Sequence, residues 1–266
     1  MRAPLYQVDA FADAALRGNP AAVMLLEEWL DDAVMKAIAA ENNLSETAFV
    51  VPDDGRFGLR WFTPTTEVDL CGHATLAAAK VLFHRGDADD AVHFDTRSGE
   101  LVVRRDGERL TMDLPAVPVL GPLDDPELYE LLGRPDGLWQ IKQVHHGRYV
   151  LALLADEDAV AAAAPDIAEL GRRRTNVLVT APGRDVDVVS RFFAPASGVD
   201  EDPVTGSAHC TLAPFWSARL GRDALHCRQI SHRPGDVHTR LVGDRVQLTG
   251  RAALFFEGTA TFEVMR

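Results

Sequence analysis

The sequence predicts an α+β fold made of two similar domains, each a curled, mostly antiparallel sheet around a central helix. The first observation is a duplicated motif, Arg-aromatic-Phe-x-Pro, which occurs at Arg60–Pro64 and again at Arg191–Pro195. An acidic loop follows each copy and leads to a glycine that opens a helical pattern, Gly72 in one half and Gly206 in the other. Because a duplicated unit usually folds twice, we expect two domains with an active site between them.

The spacing of the two copies supports a duplication longer than the motif itself. Arg60 and Arg191 lie 131 positions apart, whereas Gly72 and Gly206 lie 134 positions apart. Such a slow drift is typical of short insertions in loops. The alternative is that two unrelated α+β units share only their turn residues.

Local patterns predict the elements of the first half in order. Apolar alternation and turn signals predict strands at 5–11, 22–26, 44–51 and 59–62. A first helix is predicted to start at a capping aspartate, Asp31 or Asp32. The helix that begins at Gly72 is apolar on almost all sides, so we expect it at the centre of its domain. Asp106-Gly107 is typical of a two-residue hairpin.

The second half repeats this order of elements. Strands are predicted at 176–180 and 186–193, and a helix at 208–220. Pro214 lies inside that helix, and we expect it to kink the helix or to end it early. The alanine run at 161–164 is more typical of helix than of linker. We assign residues 1–116 to the first domain, with the C-terminal strand 255–266 as a candidate to complete it, and residues 117–254 to the second.

Composition limits the classes of function. The 266 residues are 47% hydrophobic and 25% charged, which is enough apolar material for two cores. A net charge of −13 argues against nucleic acid as a partner. No apolar run approaches a membrane span, and the first residues lack the core of a signal peptide. The three cysteines are odd in number and far apart, which favours a reducing, cytoplasmic location.

Glu46 and His73 are the main candidates for acid–base chemistry. Glu46 stands in apolar company near the start of a predicted strand, and the duplication aligns it roughly with Asn176. A partly buried carboxylate can move a proton, whereas a solvated acid at a strand end would have no such role. His73 follows Gly72, where it can contact an anionic substrate, move a proton or cap its own helix.

Asp202 and Ser207 are the corresponding candidates in the second half. Asp202 lies in the acidic loop, with Asp69 as its counterpart, and it can orient a substrate or serve as a turn former or helix cap. Ser207 aligns with His73 and can bind an anion or cap its helix. The backbone N–H groups at Gly72 and Gly206 are predicted to hold a carboxylate, because helix N-termini attract anions.

Cys71 and Thr205 occupy matching positions before the two glycines. Two thiols there would indicate a two-base racemase, but threonine cannot act as a thiolate base. Cys71 is therefore more typical of a small buried residue. The cysteines and histidines near both glycines show no recognised zinc spacing, so no metal is predicted.

The motifs, taken together, resemble those of the phenazine-biosynthesis PhzF-like family, whose members have the diaminopimelate-epimerase-like fold. The segments that carry the resemblance are Val8–Phe11, Gly18–Val23, Asn43–Phe49, Arg60–Pro64, Asp69–Thr75 and Asp202–Ala208. The resemblance implies an active site between two similar domains, no metal or organic cofactor, and a homodimer. In the characterised family activity, a glutamate isomerises a dihydro-hydroxyanthranilate by moving a proton between ring carbons. That glutamate matches Glu46, and the family's substrate-contacting histidine, aspartate and serine match His73, Asp202 and Ser207.

The leading hypothesis is a cofactor-independent isomerase that acts on a small carboxylate-bearing metabolite, with Glu46 as its single acid–base group. Gly72, Gly206 and Ser207 are assigned to substrate binding, and His73 and Asp202 assist catalysis. One alternative is an amino-acid racemase or epimerase that uses Cys71. Another is a non-catalytic protein that binds a metabolite or a protein partner.

Overall fold

The computed structural model of the chain describes residues 1–132 and 141–263 and divides into two compact units. Unit 1 consists of Met1–Asp113 and Thr249–Arg266, and unit 2 consists of Leu114–Leu248. All three cysteines lie in the described part of the chain, where they are buried and form no disulfide. Within the same residues, no helix has the length and apolarity to cross a bilayer.

Unit 1 is a mostly antiparallel arrangement of strands around one helix. Its elements are β1 (Arg2–Ala10), β2 (Asn19–Leu25), α1 (Asp32–Asn42), β3 (Glu46–Asp53), β4 (Arg56–Phe62), β5 (Glu67–Val68), α2 (Gly72–Arg85), β6 (Ala91–Thr96), β7 (Gly99–Asp106), β8 (Arg109–Pro115) and the late strand β18 (Ala252–Thr261). Strand β1 is antiparallel to both β18 and β2. The next pairings are β2–β3 parallel, β3–β4 and β4–β5 antiparallel, β4–β6 parallel, then β6–β7 and β7–β8 antiparallel.

Helix α2 is the centre of unit 1 because it is apolar on almost every side. Its alanines and leucines are buried, and it packs against β1, β2, β3 and β7. The many alanines let the strands approach the helix closely, since little side-chain volume separates the two backbones. The expectation of a central, buried helix is therefore confirmed.

Unit 2 contains the remaining elements. They are β9 (Gly121–Pro122), α3 (Pro126–Leu132), β10 (Ile141–His146), β11 (Val150–Leu154), α4 (Glu157–Ala161), α5 (Ile167–Arg172), β12 (Val177–Pro182), β13 (Val188–Ala194), β14 (Val199–Asp202), α6 (Gly206–Leu220), β15 (Ala224–Gln229), β16 (Gly235–Val242) and β17 (Arg245–Gly250). The pairings run β10–β11 antiparallel, β11–β12 parallel, β12–β13 and β13–β14 antiparallel, β13–β15 parallel and β15–β16 antiparallel. This is the series of pairings that β1 to β7 form in unit 1.

Pro214 does not end its helix early, because α6 continues to Leu220 and its later residues pack into an apolar cluster. A kink at Pro214 stays a prediction. Another local prediction in unit 2 is wrong. The alanine run at 161–164 is not a helix, since α4 ends at Ala161. The guanidinium of Arg191 donates to the carbonyl oxygens of Ala161 and Ala163 at 3.0 and 2.7 Å, and a charged donor thus replaces the helical N–H groups there.

One local prediction in unit 1 needs a similar correction. Asp31 occupies the N-cap position of α1, but among the described residues its side chain forms no capping hydrogen bond. The hairpin at Asp106-Gly107 is confirmed: β7 and β8 pair up to this turn, and Gly107 has the left-handed φ of 59° that the turn requires.

In each unit, a bidentate arginine–glutamate ion pair holds the acidic loop in place. In unit 1, Nε and Nη2 of Arg60 donate to the two carboxylate oxygens of Glu67, both at 2.7 Å. In unit 2, Arg191 donates to Glu201 in the same way, at 2.7 and 2.9 Å. Bidentate pairs fix geometry as well as charge, so each loop reaches the following helix along a defined path.

The ion pair between Arg191 and Glu201 is expected to stabilise unit 2. Arg191→Gln should lower the free energy of unfolding by about 3 kcal/mol, because Glu201 would remain as a largely buried, uncompensated charge. Urea denaturation at neutral pH measures the change. Arg184→Gln is the control: its pair with Asp158 is exposed, so the loss should be at most about 1 kcal/mol. Equal losses in the two variants would contradict the assignment.

Candidate active site

Glu46 and His73 lie together in unit 1. Glu46 is the first residue of β3, and His73 lies in the first turn of α2. Oε2 of Glu46 is 3.2 Å from Nε2 of His73, and the two side chains are only 19% and 6% exposed. The contact is close and electrostatic, without the alignment of a hydrogen bond between described residues. Glu46 is thus not a solvated strand-end acid, and His73 does not cap its own helix.

The proton of the His73 ring can be placed from its neighbours. Nδ2 of Asn19 is 3.2 Å from Nδ1 of His73. An amide NH₂ group can only donate, so Nδ1 is the acceptor. Burial lowers the pKa of His73 to about 3, and the ring is therefore neutral at pH 7. A neutral ring that accepts at Nδ1 carries its proton at Nε2, on the side of Glu46.

Asn19 is a site residue that the sequence analysis missed, because Gly18-Asn19-Pro20 was interpreted only as a turn. Asn19 is fully buried and begins β2. Gly18 directs it there: φ is +62°, and a Cβ at this position would lie 2.2 Å from the carbonyl oxygen of Ala10. A polar amide at the start of an otherwise apolar strand was the signal that could have identified it, since a buried amide needs partners.

Cys71 completes the group in unit 1. It is the N-cap residue of α2 and is buried, as predicted for a small packing residue. Its Sγ also lies 3.5 Å from Nδ1 of His73. The carbonyl oxygen of Cys71 accepts a hydrogen bond of 2.6 Å from Oγ1 of Thr75, which anchors the first turn of the helix.

Asp202 is held in unit 2 by two neighbours. It is the last residue of β14, and its Oδ2 accepts a short hydrogen bond from Oγ1 of Thr205. The buried Gln229 donates through Nε2 to the carbonyl oxygen of Asp202 at 2.6 Å and accepts from the N–H of Thr205 at 2.9 Å. Thr205, not Asp202, is the N-cap of α6. Asp202 is therefore a fixed carboxylate rather than a helix cap.

Gln229 is a second residue that the sequence analysis missed. It ends β15, on the face whose other members, Leu225 and Cys227, are buried. A polar side chain in the buried phase of an alternating strand was the available signal, because such a group must be hydrogen-bonded.

Ser207 lies in the first turn of α6 and does not cap it. Its Oγ is 2.9 Å from the hydroxyl of Tyr149, another residue that sequence reasoning missed. Further along the turn, Nδ1 of His209 donates to the carbonyl oxygen of Thr205 at 2.8 Å. Burial lowers the pKa of His209 to about 4, so this ring is also neutral at pH 7.

Strand register tests which residues of the two units correspond. Glu46 directly precedes the residue paired with Phe62, and Asn176 directly precedes the residue paired with Phe193. Phe62 and Phe193 belong to the two copies of the duplicated motif. The alignment of Glu46 with Asn176 is therefore confirmed.

The same comparison corrects the counterpart of Asp202. In unit 2, Asp202 pairs with Phe192. The counterpart of Phe192 in unit 1 is Trp61, and the residue that pairs with Trp61 is Val68. Asp69 lies one position further on and is exposed. The glycine offset of 134 also leads from Asp202 to Val68, so the two aspartates had been matched by residue type and not by position.

Gly72 and Gly206 are the first residues of α2 and α6. In the described part of the chain, neither helix receives a capping hydrogen bond from the side chain of its N-cap residue. First-turn N–H groups without such a cap are suited to an anion, and the predicted carboxylate binding stays a prediction. Each unit gathers its own candidates: Glu46, Cys71, Gly72 and His73 in unit 1, and Asp202, Gly206 and Ser207 in unit 2.

Known proteins resemble this chain over nearly its whole length. The sequence profile of a family described as phenazine biosynthesis-like protein (PhzC-PhzF) matches residues 8–258. A Pseudomonas aeruginosa protein named an uncharacterized isomerase is 49% identical over an alignment of 266 positions, gaps included. The alignment covers 97% of this chain and 99% of that protein. The crystal structure of a PhzF-family protein from Enterococcus faecalis matches with a TM-score of 0.93 and 44% identity, over 98% of this chain and 100% of that one.

Fold and site thus define an α+β protein with the epimerase-like fold, as predicted. The chain belongs to the phenazine biosynthesis-like, or PhzF, family. The fold extends to a hydroxyproline epimerase from Agrobacterium vitis, solved with bound trans-4-hydroxy-L-proline. That structure matches with a TM-score of 0.64 and 12% identity, over 97% of this chain and 92% of that one, and it shares the fold alone.

The two buried histidines predict how stability depends on pH. Unfolded histidines bind protons near pH 6.5, whereas folded His73 and His209 do so only at pKa values of about 3 and about 4. Acid therefore protonates the unfolded chain first, and the free energy of unfolding should fall as the pH drops from about 6.5 to about 4.

The measurement is urea denaturation across this pH range. His209→Gln should flatten the dependence, because glutamine does not titrate. The same substitution at the exposed His232 provides the matched control for replacing a histidine by glutamine. An identical pH dependence in wild type and His209→Gln would contradict the assignment.

Proposed function

We propose that the protein is a cofactor-independent isomerase that moves a proton between carbons of a small carboxylate-bearing metabolite. The contact between the Glu46 carboxylate and the neutral, buried His73 at the start of a helix is the observation that carries this proposal. The isomerase names given to close relatives agree with it at the level of the reaction class.

In the proposed reaction, Glu46 removes a proton from a substrate carbon. The C–H bond breaks, an O–H bond forms on the carboxylate, and the electron pair enters the conjugated system of the substrate. The π bonds shift, the O–H bond on Glu46 breaks, and Glu46 donates a proton to another carbon on the same face; while it sits on the carboxylate, this proton can exchange with solvent. A single group that first accepts and then donates suits this cycle, because the enzyme ends in its starting state.

His73 supports the charge that develops during this transfer. Its Nε2–H, fixed by the acceptor role of Nδ1, can donate to a substrate oxygen beside Glu46. Because the ring is neutral, it donates without transferring its proton fully to the substrate. The first-turn N–H groups at Gly72 offer further donors to a carboxylate or enolate.

Asp202 and Ser207 are proposed to act on the same substrate molecule. Support comes from their fixed positions at the start of α6, where Thr205, Gln229 and Tyr149 hold them. A preorganised carboxylate and hydroxyl can orient the substrate at little entropic cost. In this proposal they set binding and orientation, whereas Glu46 performs the transfer.

We also propose that the chain arose by internal duplication. The two units share the same series of strand pairings, and each has an equivalent arginine–glutamate ion pair, which supports this proposal. We propose as well that the protein is a homodimer, that it is cytoplasmic and that it needs no cofactor. Light scattering of the purified protein tests the dimer, and retention of activity after dialysis against a chelator tests cofactor independence.

Replacing Glu46 tests the proposed base directly. Candidate carboxylates and metabolite extracts are incubated with the enzyme in deuterated water, and exchange at carbon is followed by NMR. Glu46→Gln should slow exchange by about 10²-fold or more, because the amide cannot accept the proton. Glu257→Gln removes an exposed acid and should retain the wild-type rate. A near-normal rate in Glu46→Gln would exclude Glu46 as the base.

Replacing Asp202 tests whether unit 2 contributes to the same reaction. Asp202→Asn keeps the shape of the side chain but removes its charge, so exchange should slow by at least about tenfold, chiefly through a higher KM. Asp200→Asn changes an exposed neighbour in the same loop and serves as the control. If Asp202→Asn exchanged protons as wild type does, Asp202 would have no part in the reaction.

The two alternative functions predict different outcomes. A racemase that uses Cys71 would introduce deuterium at the α-carbon of free amino acids and lose this activity in Cys71→Ser. Thr205, the counterpart of Cys71, donates to Asp202 and offers no second thiol. A non-catalytic protein would show no exchange with any extract while binding a protein partner tightly.

A further inference from the structure

The side chains of Glu46, Cys71 and His73 form a set of metal-ligand types. One donor atom from each residue lies within 4.8 Å of the other two. Cys71 and His73 are buried, and Glu46 is partly buried. A carboxylate, a thiol and an imidazole are the three ligand types that Zn²⁺ takes most often.

We propose that Glu46, Cys71 and His73 bind a thiophilic divalent cation such as Zn²⁺, and that this cation inhibits the enzyme. The binding stands on the arrangement of these donors alone. The inhibition rests on the proposed function, in which Glu46 must be free to accept a proton.

The observed spacing is close to that of a tetrahedral site. With bonds of about 2.3 Å to sulfur and about 2.0 Å to nitrogen and oxygen, tetrahedral ligands lie about 3.3–3.6 Å apart. Oε2 of Glu46 and Nε2 of His73 are 3.2 Å apart. Sγ of Cys71 lies beside the same ring, 3.5 Å from Nδ1. The three donor atoms lie within 4.8 Å of one another, so binding needs the side chains to move closer together but needs no change of the backbone elements that carry them.

His73 itself indicates a ligand at this point. Its Nε2 is buried and has no aligned hydrogen bond within the described residues. A buried polar atom in this state is costly unless some other group satisfies it. Coordination by a cation is one way to satisfy it, and substrate contact in the proposed reaction is the other.

Metal binding requires a defined redistribution of protons. Coordination through Nε2 moves the ring proton to Nδ1, and a half turn of the Asn19 amide then presents Oδ1 as its acceptor. The thiol of Cys71 releases its proton to solvent. One thiolate, one carboxylate, one neutral imidazole and Zn²⁺ sum to zero charge, which limits the cost of burying the ion.

Inhibition follows from the ligand atoms involved. The cation occupies Oε2 of Glu46 and Nε2 of His73, the two atoms proposed to handle the moving proton and the developing charge. Substrate turnover and metal binding therefore exclude one another, and turnover should recover when a chelator removes the ion.

The test uses the chelator-treated, dialysed full-length protein with Co²⁺ as a spectroscopic probe and Zn²⁺ in calorimetry. We expect one ion per chain, a thiolate-to-cobalt absorption band, and release of about one proton per ion. Cys71→Ser and His73→Gln should each weaken binding at least about tenfold, and Cys71→Ala checks the first result with a smaller side chain. Cys227→Ser alters a buried cysteine of unit 2 and should bind as wild type does.

Two results would overturn the proposal: no thiolate band in wild type, or wild-type affinity in both Cys71→Ser and His73→Gln. Loss of the band in Cys227→Ser would also overturn it by placing the ion elsewhere. Circular dichroism confirms that each variant is folded. Because binding is measured without substrate, its failure leaves the proposed isomerase untouched, and an inactive isomerase assay leaves the binding result intact.

Discussion

Burial of the His73 imidazole in the first turn of α2 is the constraint on which the rest of the site depends. The first two turns of the helix are buried from His73 to Ala79, so the ring lies away from water and stays neutral. A neutral ring has one donor and one acceptor, and the amide of Asn19 takes the acceptor. The remaining donor faces Glu46, and one local environment thereby sets the protonation state, the tautomer and the direction of the ring.

Both units build the start of their central helix in a similar way. The side chain three positions after each helix-opening glycine bonds back to the N-cap carbonyl oxygen: Thr75 to Cys71 in unit 1, and His209 to Thr205 in unit 2. The preceding loop is held by an arginine–glutamate pair in each case. These contacts hold the first turn of each helix in the same way, although the side chains that form them differ.

The parts of the fold that repeat were predictable from the sequence, and the parts that depend on packing were not. Glycines and apolar patterning located both central helices, since these signals are local. Pro214 does not end α6, because packing of the helix outweighs a local helix-breaking preference. Asn19 and Gln229 were missed because their roles appear only when distant strands and helices bring their partners to them. The correspondence of Asp202 with Asp69 failed because both loops are acidic, and a shared residue type does not fix an alignment.

The two units share the same series of strand pairings, so the positions at which their residues differ are informative about the chemistry of the site. Where unit 1 has Glu46, unit 2 has Asn176, whose side chain is hydrogen-bonded to Ser197 and to the N–H of Ala196. Where unit 1 has Cys71, unit 2 has Thr205. Racemisation with two bases needs a proton acceptor on each face of the substrate, and the second unit offers none at these positions. Transfer by one carboxylate needs an acceptor on one face only. The asymmetry therefore favours a one-base proton shift over a two-base inversion.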